Sequence, residues 1–385
     1  MPTFESMFTP VVRQPLSKTV RFGVLSTYPP TPCGLATFSA GLSRALTTHG
    51  SEVGVVRVAD ESASSSGRVV AELVNGSAQS VLACADSLNR NDVAVIQHEY
   101  GIYGGADGVE VIDILEELRV PSIVVAHSVL KSPTPQQRQI FETVMAKADR
   151  VVVMSEAARQ RLCLTYTVDR HKVAMIPHGA TIPTSPRVKR ASRPTILTWG
   201  LLGPGKGIER VIDAMPALQD LPGRPRYVVA GRTHPKVLAA EGEAYRESLI
   251  ERARRSGVAN SVHFDPQFYG ATMLTALVQS AAVIVLPYDS ADQVNSGVLV
   301  DAVVSGRPVV ATAFPHALEM LCGGAGIIVD QDDPDALRTA LSQVLTEPRL
   351  AGSMAAEARL LAPAMQWSVV ASAYILLAQR ILADR

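Results

Sequence analysis

The chain has 385 residues, of which 47% are hydrophobic, so it is long enough for two domains that each bury a core. Its 36 basic and 36 acidic residues balance, which argues against a general nucleic-acid binder, since such proteins usually carry a basic excess. The four cysteines lie far apart and form no CxxC or Cys/His metal spacing. We therefore expect free thiols in a reducing, cytoplasmic compartment.

The sequence carries no membrane or export signal that we can identify. No apolar run reaches the roughly 18 residues needed to span a bilayer. The first residues lack a basic start followed by an apolar block, so residues 1–18 are predicted to be a loose extension and not a signal peptide. Membrane contact is expected to be peripheral at most.

In the first half of the chain, short apolar runs alternate with helical patterns. The predicted strands are Val20–Ser26, Val53–Val58, Val93–Gln97, Ser122–Ala126, Val151–Met154 and Val173–Pro177. A helix is predicted over Phe38–Thr48 and a serine-rich loop over Glu61–Arg68. This alternation predicts a parallel sheet covered by helices on both faces.

A proline- and arginine-rich segment, Pro183–Pro194, is predicted to be an interdomain linker. A second series follows, with strands predicted at Thr195–Trp199, Arg226–Ala230, Val262–Phe264, Val283–Pro287, Val309–Ala311 and Gly326–Val329. Helices are predicted at Tyr245–Ser256, Met273–Ser280, Leu299–Ser305, Asp335–Leu345 and Ser368–Arg385. The fold class is therefore α/β, with two doubly wound domains, 1–185 and 186–365, that place a ligand site in the cleft between them.

A glycine-rich turn opens the second series. The apolar run ending at Trp199 leads into GLLGPGKG, with glycines at Gly203, Gly205 and Gly207, and a helical pattern begins immediately afterwards. Such a turn leaves backbone N–H groups free at a helix start, where phosphate binds, and Lys206 adds a positive charge. It is not a P-loop, because a glycine follows the lysine where Ser or Thr would hold magnesium. A glycine turn without a ligand is the alternative.

Several motifs in this order resemble retaining glycosyltransferases of family 4 with the GT-B fold, from about Arg21 onward. They are YPPTPCGLATF, VVVMSEAARQRL, VAMIPHGA, GLLGPGKGIE, SGVLVDAVVSGRPVVAT and GGAGIIV. A likeness to a subgroup is visible in QHEYGIYGG and GRTHPKVLAAEGEAYR. The resemblance implies a Rossmann-like first domain for the acceptor, a second for a nucleotide sugar, and a final helix, 366–385, that crosses back onto the first domain.

The resemblance also implies roles for residues on the donor side. Lys206 and the amides of Gly203 to Gly207 would bind the diphosphate. The family usually has an arginine where this chain has Leu201, and Arg232 at the end of the next strand is a candidate to compensate, although a surface arginine is an equal alternative.

The family's paired glutamates correspond to Gln293 and Asp301. Asp301 retains a carboxylate for ribose hydroxyls, and Gln293 can hydrogen-bond sugar hydroxyls without charge. Between them, the amides of Asn295, Ser296 and Gly297 at a helix start are a second predicted diphosphate contact, which is compatible with an ordinary N-cap by Asn295 or Ser296.

In the first domain, Gly34 is predicted in the loop after the first strand and is assigned to donor binding, because the backbone there would come close to donor or acceptor. His127 directly follows the strand SIVVA, and the resemblance implies that it lies near the transferred sugar. His98 and Glu99 end another strand and are predicted to bind acceptor hydroxyls. Structural hydrogen bonding is the alternative for each of these side chains.

Three further groups have simpler interpretations. His178 and His234 are turn residues that can cap local backbone. The run Asp330-Gln331-Asp332 resembles a manganese-binding DxD, but it precedes a helix and is predicted to cap it. We therefore expect no essential metal and no cofactor.

Taken together, these observations predict a retaining transferase that moves a hexose from a GDP- or UDP-sugar to a sugar or glycan hydroxyl. One alternative keeps the fold and changes the chemistry to that of a nucleotide-sugar epimerase or a phosphorylase, which would act without an acceptor or would need free phosphate. A second alternative is a sugar-nucleotide-binding protein without catalysis, which would bind donor and not turn it over.

Overall fold

The computed structural model describes residues 19–62, 64, 66–183 and 192–385, and this part of the chain contains two parallel sheets. The first sheet is formed by β1 (Arg21–Ser26), β2 (Glu52–Val58), β3 (Val69–Leu73), β4 (Val93–His98), β5 (Ser122–Ala126), β6 (Arg150–Val153) and β7 (Val173–Met175). Its strand order is β3-β2-β1-β4-β5-β6-β7. The order reverses beside β1, which places a crevice at the carboxyl ends of β1 and β4.

The second sheet has six strands in the order β10-β9-β8-β11-β12-β13. They are β8 (Thr195–Trp199), β9 (Arg226–Ala230), β10 (Val262–Asp265), β11 (Val283–Leu286), β12 (Val309–Thr312) and β13 (Gly326–Val329). The corresponding reversal lies between β8 and β11. The fold is thus α/β with two doubly wound halves, as the sequence predicted.

Fourteen helices cover the two sheets within the described residues. In the first half they are α1 (Gly34–Thr48), α2 (Ala78–Leu88), α3 (Glu110–Glu116), α4 (Pro135–Lys147) and α5 (Glu156–Thr165). In the second half they are α6 (Ile208–Leu218), α7 (Pro235–Glu241), α8 (Ala244–Arg255), α9 (Ala271–Ser280), α10 (Gly297–Val304), α11 (Pro315–Leu321), α12 (Pro334–Thr346), α13 (Pro348–Leu361) and α14 (Trp367–Ala383). None of the helices described has the length and apolar character to cross a bilayer.

The strand predictions hold except at one edge of the first sheet. β3 follows the serine-rich segment and escapes the apolar pattern, because only Leu73 of its five residues is fully buried. It pairs with β2 through a register shift at Val55 and Val56, as edge strands often do. The first helix begins at Gly34, four residues before the predicted start, because Cys33 accepts a hydrogen bond from the amide of Ala36 and caps the helix.

The last helix, α14, packs on the first domain. Val370, Tyr374 and Ala378 are buried in the same apolar cluster as Phe22 and Leu42. The contact begins at Trp367, whose ring occupies the space beside two glycines of the first domain. A Cβ on Gly41 would lie 2.4 Å from this ring, and one on Gly179 would lie 2.2 Å from it.

Two expectations fall on residues outside the described ranges. The loose extension predicted for residues 1–18 is one of them. The predicted linker is the other, since residues 184–191 are not described and the domain boundary at 185 and 186 lies among them. Both stay predictions.

Candidate active site

The glycine-rich turn after β8 is folded against the loop after β9. The amide of Leu202 donates to the carbonyl of Arg232 at 2.8 Å, and the amide of His234 donates to the carbonyl of Leu202 at 2.7 Å. Gly207 has φ = +63°, and a Cβ there would lie 1.7 Å from the carbonyl oxygen of Pro287. Only glycine fits this position, so the turn is held in one shape.

Several backbone amides of this turn have no backbone acceptor among the described residues. The amide of Lys206 donates to the carbonyl of Gly203 at 3.3 Å, so it closes the turn and is not available to a ligand. Within the described residues, no backbone acceptor is found for the amides of Gly203, Gly205 and Gly207. These N–H groups, immediately before α6, are suited to an anion.

Lys206 is positioned without being neutralised. Its ammonium lies 4.6 Å from the centre of the Tyr288 ring, and Tyr288 stacks on Phe314 with ring centres 5.3 Å apart. No carboxylate forms an ion pair with Lys206 in the described part of the chain. The cation–π contact therefore orients a full positive charge that remains available for phosphate oxygens.

The start of α10, like the glycine-rich turn, lies at the carboxyl ends of the strands of the second sheet. Ser296 is the N-cap, since its hydroxyl accepts from the amide of Leu299 at 3.2 Å. The amide of Ser296 donates to Nδ1 of His316 at 2.9 Å, so the expectation that this amide is exposed for phosphate is wrong. Gly297 follows directly, and a Cβ there would lie 2.8 Å from Nε2 of His178 in the first domain. The two halves of the molecule thus meet closely at Gly297.

Gln293 and Asp301 have different surroundings. The side-chain amide of Gln293 donates to the carbonyl of Asn295 at 3.0 Å, and the Asn295 amide nitrogen lies 3.9 Å from the sulfur of Met154 across the cleft. Asp301 is partly exposed, and its carboxylate has no hydrogen bond or ion pair with any described residue, although its backbone carbonyl accepts from the amide of Ser305 at 3.1 Å. Burial raises the pKa of Asp301 to about 7. Its carboxylate is therefore free to accept hydrogen bonds from hydroxyl groups.

His127 lies at the carboxyl end of β5. Its Nε2 is 2.6 Å from Oε1 of Gln97, and its ring meets the edge of Phe38 with centres 5.0 Å apart. Burial, reinforced by the imidazoles of His178 and His98, lowers the pKa of His127 to about 3. The ring is neutral at physiological pH, and with Gln97 accepting from Nε2 its Nδ1 carries a lone pair.

Two more imidazoles, His178 and His316, lie near one another where the two domains meet. Nδ1 of His178 is 2.8 Å from the carbonyl of Gly179, and its ring meets Phe38 at 4.9 Å. Burial lowers the pKa of His178 to about 4 and that of His316 to about 3. The three rings are therefore neutral at physiological pH, and His316, which is 3% exposed, serves the backbone of Ser296.

Glu99 and His98 diverge although they are adjacent in sequence. Glu99 is partly exposed, and its carboxylate accepts from the hydroxyl of Ser128 and from the amide of Tyr100. Burial raises the pKa of Glu99. His98 is 1% exposed and lies against the rings of Tyr100 and Phe141. The expectation that His98 faces the cleft to bind acceptor is wrong, because β4 buries it in the aromatic core.

Gly34 and Arg232 are both at the surface. Gly34 is the first residue of α1 and is not in a loop, and a Cβ on it would meet no described atom within 4 Å. The side chain of Arg232 is exposed, and only its backbone is used, in the hydrogen bond from Leu202. Neither observation tests the predictions that Gly34 and Arg232 bind the donor, so both stay predictions.

The domains are joined at the amino end of α5. The carboxylate of Glu319 on α11 accepts from the amides of Glu156 and Ala157, both at 2.9 Å. The hydroxyl of Ser155 donates to the carbonyl of Val294. A carboxylate at a helix start is favourable, so these bonds stabilise the approach of the second domain to the first.

The DxD-like run does not cap the helix that follows it. Asp333 is the N-cap of α12, and Asp330 instead accepts from the amide of Asp332 at 2.9 Å within a turn. Among the described residues, no group of three or more His, Cys, Asp or Glu side chains is arranged to hold a metal ion.

Comparison with known families matches both halves of the chain. The model for Glycosyltransferase Family 4 matches residues 32–182, and the model for Glycosyl transferases group 1 matches residues 185–361. The chain belongs to the family 4, group 1 glycosyltransferases. In this glycosyltransferase the glycine-rich turn, Lys206 and Asp301 all lie within the group 1 match, and His127 lies within the family 4 match.

Curated relatives are similar over part of their length. The D-inositol 3-phosphate glycosyltransferase of Streptomyces avermitilis is 27% identical over 262 residues, covering 63% of this chain and 54% of the relative. The GDP-mannose-dependent alpha-(1-6)-phosphatidylinositol monomannoside mannosyltransferase of Mycolicibacterium smegmatis is 28% identical over 258 residues, covering 63% of this chain and 64% of the relative. The chain thus spans just over half to nearly two thirds of these relatives.

Solved structures share the fold of this glycosyltransferase. Sucrose-phosphate synthase from Thermosynechococcus elongatus is 17% identical with a TM-score of 0.74, over 95% of this chain and 100% of that one. Anabaena HepE in complex with UDP and glucose is 16% identical with a TM-score of 0.75, over 94% and 100%. At this identity the likeness establishes the fold, and WaaG, at 16% identity and a TM-score of 0.67 over 94% and 99%, agrees with it.

Sequence reasoning missed several residues that build the cleft of this glycosyltransferase. Phe38 contacts His127, His178 and Trp367, and so holds both imidazoles in place. His316 fixes the amide of Ser296 from another helix. The only signal for these residues was their position in apolar motifs next to strand ends, which does not distinguish a site residue from a core residue.

Proposed function

We propose that this glycosyltransferase transfers a hexose from a nucleotide-diphosphate sugar to a hydroxyl group of a sugar or glycan acceptor, with retention of anomeric configuration. One observation supports it above the others. In the described part of the chain, one turn of the second domain brings together the Lys206 ammonium, which has no ion-pair partner, and three glycine amides without a backbone acceptor, while neutral imidazoles and the Glu99 carboxylate lie at strand ends of the first domain. That arrangement suits an anionic leaving group on one side and hydroxyl groups on the other.

In the proposed reaction the bond between the anomeric carbon and the leaving phosphate oxygen breaks, and a bond from the acceptor oxygen forms on the same face. The acceptor proton passes to the departing phosphate, so no protein nucleophile is needed. Lys206 and the turn amides would stabilise the charge that grows on the phosphate. Asp301 would accept hydrogen bonds from ribose, and His127 would contact the transferred sugar.

The donor and the acceptor are proposed at the level of class. A related structure contains UDP and glucose, and a curated relative is named for GDP-mannose, so both bases belong in the first test. Relatives named for D-inositol 3-phosphate make phosphorylated polyols suitable acceptors to try. We further propose that no metal is required, which purification in EDTA followed by assay with and without Mn²⁺ would test.

The test begins with thermal melts in GDP-, UDP- and ADP-sugars, because a ligand that binds only the folded protein raises its melting temperature. The best binder is then assayed for nucleotide release with and without candidate acceptors. NMR of the product gives the anomeric configuration. Acceptor-dependent release with retained configuration supports the proposal, whereas release that needs phosphate or no acceptor points to a phosphorylase or an epimerase.

A second candidate is donor binding without transfer. Leu201 supplies no charge to the turn, and the Gln293 amide is bonded to the carbonyl of Asn295 within its own loop. Both features weaken the grip on a donor in a reactive position. Stabilisation by a nucleotide sugar without turnover, across the acceptor panel, would favour this candidate.

A further inference from the structure

A diphosphate carries more negative charge than Lys206 neutralises, so a diphosphate site calls for a second cation. Arg232 is exposed, and no described residue holds its side chain. Lys236, the second residue of α7, lies instead between the glycine-rich turn and the first domain. Three observations place it there.

The first is the packing of α7 on the turn. A Cβ on Gly203 would lie 3.1 Å from Val237 and 3.9 Å from Cβ of His234. Burial lowers the pKa of His234, and the positive charges of Lys236 and Lys206 lower it further. Both ammonium groups therefore lie near the same imidazole, at the edge of the turn.

The second observation is that Lys236 reaches across the cleft. A Cβ on Gly101 of the first domain would lie 2.9 Å from the Lys236 ammonium. The charge of Lys236 also favours the ionised form of Glu99, although burial dominates and raises the pKa of that group. The ammonium thus lies between the phosphate-binding turn and the carboxylate of the opposite wall.

The third observation concerns hydrogen bonds. No carboxylate pairs with Lys236 within 4 Å in the described part of the chain, so its charge is not spent on a salt bridge. The amide of Lys236 donates to Nδ1 of His234 at 3.2 Å, which places the proton of the neutral imidazole on Nε2. His234 therefore offers a neutral donor beside a cation.

We propose that Lys236, with His234 beside it, forms the second half of the diphosphate site and contacts the phosphate nearer the transferred sugar. That phosphate is assigned because Lys236 lies towards Glu99 and the acceptor wall, whereas Lys206 is anchored on Tyr288 deeper in the second domain. This inference rests on the proposed function, since it assumes a nucleoside diphosphate donor. In this proposal Lys236 of α7 supplies the positive charge that an arginine at the position of Leu201 would otherwise provide.

The test compares nucleoside diphosphate and monophosphate binding by calorimetry, using GDP and GMP or UDP and UMP, whichever base stabilises the wild-type protein. Lys236→Ala should weaken diphosphate binding about 10-fold or more and leave monophosphate binding within about 2-fold, since a charge-assisted hydrogen bond to one phosphate is lost. Lys236→Arg should restore most of the affinity. Arg255→Ala, which removes an exposed positive charge from α8, is the matched control and should bind both ligands as the wild type does.

The outcomes separate the two proposals. If Lys206→Ala loses diphosphate affinity while Lys236→Ala behaves like Arg255→Ala, the assignment of Lys236 is overturned and the proposed function stands. Equal weakening of monophosphate and diphosphate in Lys236→Ala also overturns it, because a structural defect would act on both. If the wild type binds no nucleoside diphosphate at all, both proposals fall.

Discussion

Replacing Asp301 with asparagine should make the protein more stable and a poorer binder of its donor. The Asp301 carboxylate is partly buried on α10 and has no partner among the residues that the structure describes, and burial raises its pKa from 3.8 to about 7. For an acid with a raised pKa, the folded state holds the proton more tightly than the unfolded chain. Ionisation therefore lowers the free energy of unfolding as the pH rises from about 4 to about 7.

The largest possible change in the free energy of unfolding is set by the pKa values of Asp301 in the unfolded and in the folded chain. Their separation, from 3.8 to about 7, corresponds to about 4 kcal/mol at 1.36 kcal/mol per pH unit. Because the carboxylate is partly exposed, we expect roughly half of this, about 2 kcal/mol, at pH 8. For a domain of this size that is about 4–8 °C in melting temperature. At pH 5, where a larger share of the folded carboxyl is protonated than at pH 8, the advantage of Asp301→Asn should be smaller.

Scanning fluorimetry of wild type and Asp301→Asn at pH 5, 6.5 and 8 measures this difference. Asp220→Asn, at an exposed aspartate on the same domain, controls for the loss of one negative charge. Donor binding is measured in parallel at pH 8 and should weaken about 10-fold if Asp301 accepts hydrogen bonds from ribose hydroxyls. A melting temperature that does not rise, or rises equally at pH 5 and pH 8, would refute the account of Asp301 as an unpartnered buried carboxylate.

Three other substitutions have expected results. Lys206→Ala should slow transfer about 100-fold by removing stabilisation of the leaving phosphate, and unchanged turnover in the folded variant would contradict that role. Gly207→Ala should lower the free energy of unfolding by about 3 kcal/mol or more, measured by thermal melts, because its Cβ would lie 1.7 Å from a carbonyl oxygen. Gly205→Ala is the control, since its Cβ would meet no described atom within 4 Å. It should cost about 1 kcal/mol, through its φ of +85° alone. Glu319→Ala should remove the carboxylate that accepts from the amides of Glu156 and Ala157, while Ser155 still caps α5. We expect a loss of about 1–3 kcal/mol in the contact between the two domains, measured as a larger radius of gyration by small-angle scattering, and an unchanged radius would count against this role of Glu319.

The fold could be predicted from sequence because its signals are local. Parallel strands with helices on both faces appear as apolar runs of three to seven residues, and twelve of the thirteen strands described were recognised in this way. β3 was missed because an edge strand that alternates between exposed and buried residues is hard to distinguish from loop. The start of α1 was placed too late because a cysteine cap is not among the usual signals.

The candidate site was only partly predictable, for a physical reason. The turn around Lys206 is continuous in sequence, so its residues could be named together. The contacts that select among the other candidates join distant segments. His98 packs against Phe141 in the core and is therefore not available to a ligand. The amide of Ser296 donates a hydrogen bond to His316. Lys236 lies beside Gly101 because the two domains pack against each other.

The position of α14 has a consequence for how the chain is made. Nascent domains generally fold in order as they leave the ribosome. Here the apolar face of α1, including Leu42, is covered by residues that are translated after the whole of the second domain. During synthesis, the α1 face of the first domain therefore stays exposed to solvent until residues 367–383 become available to cover it. During that interval it is a surface for chaperones or for aggregation, and premature termination before residue 367 would leave it permanently uncovered.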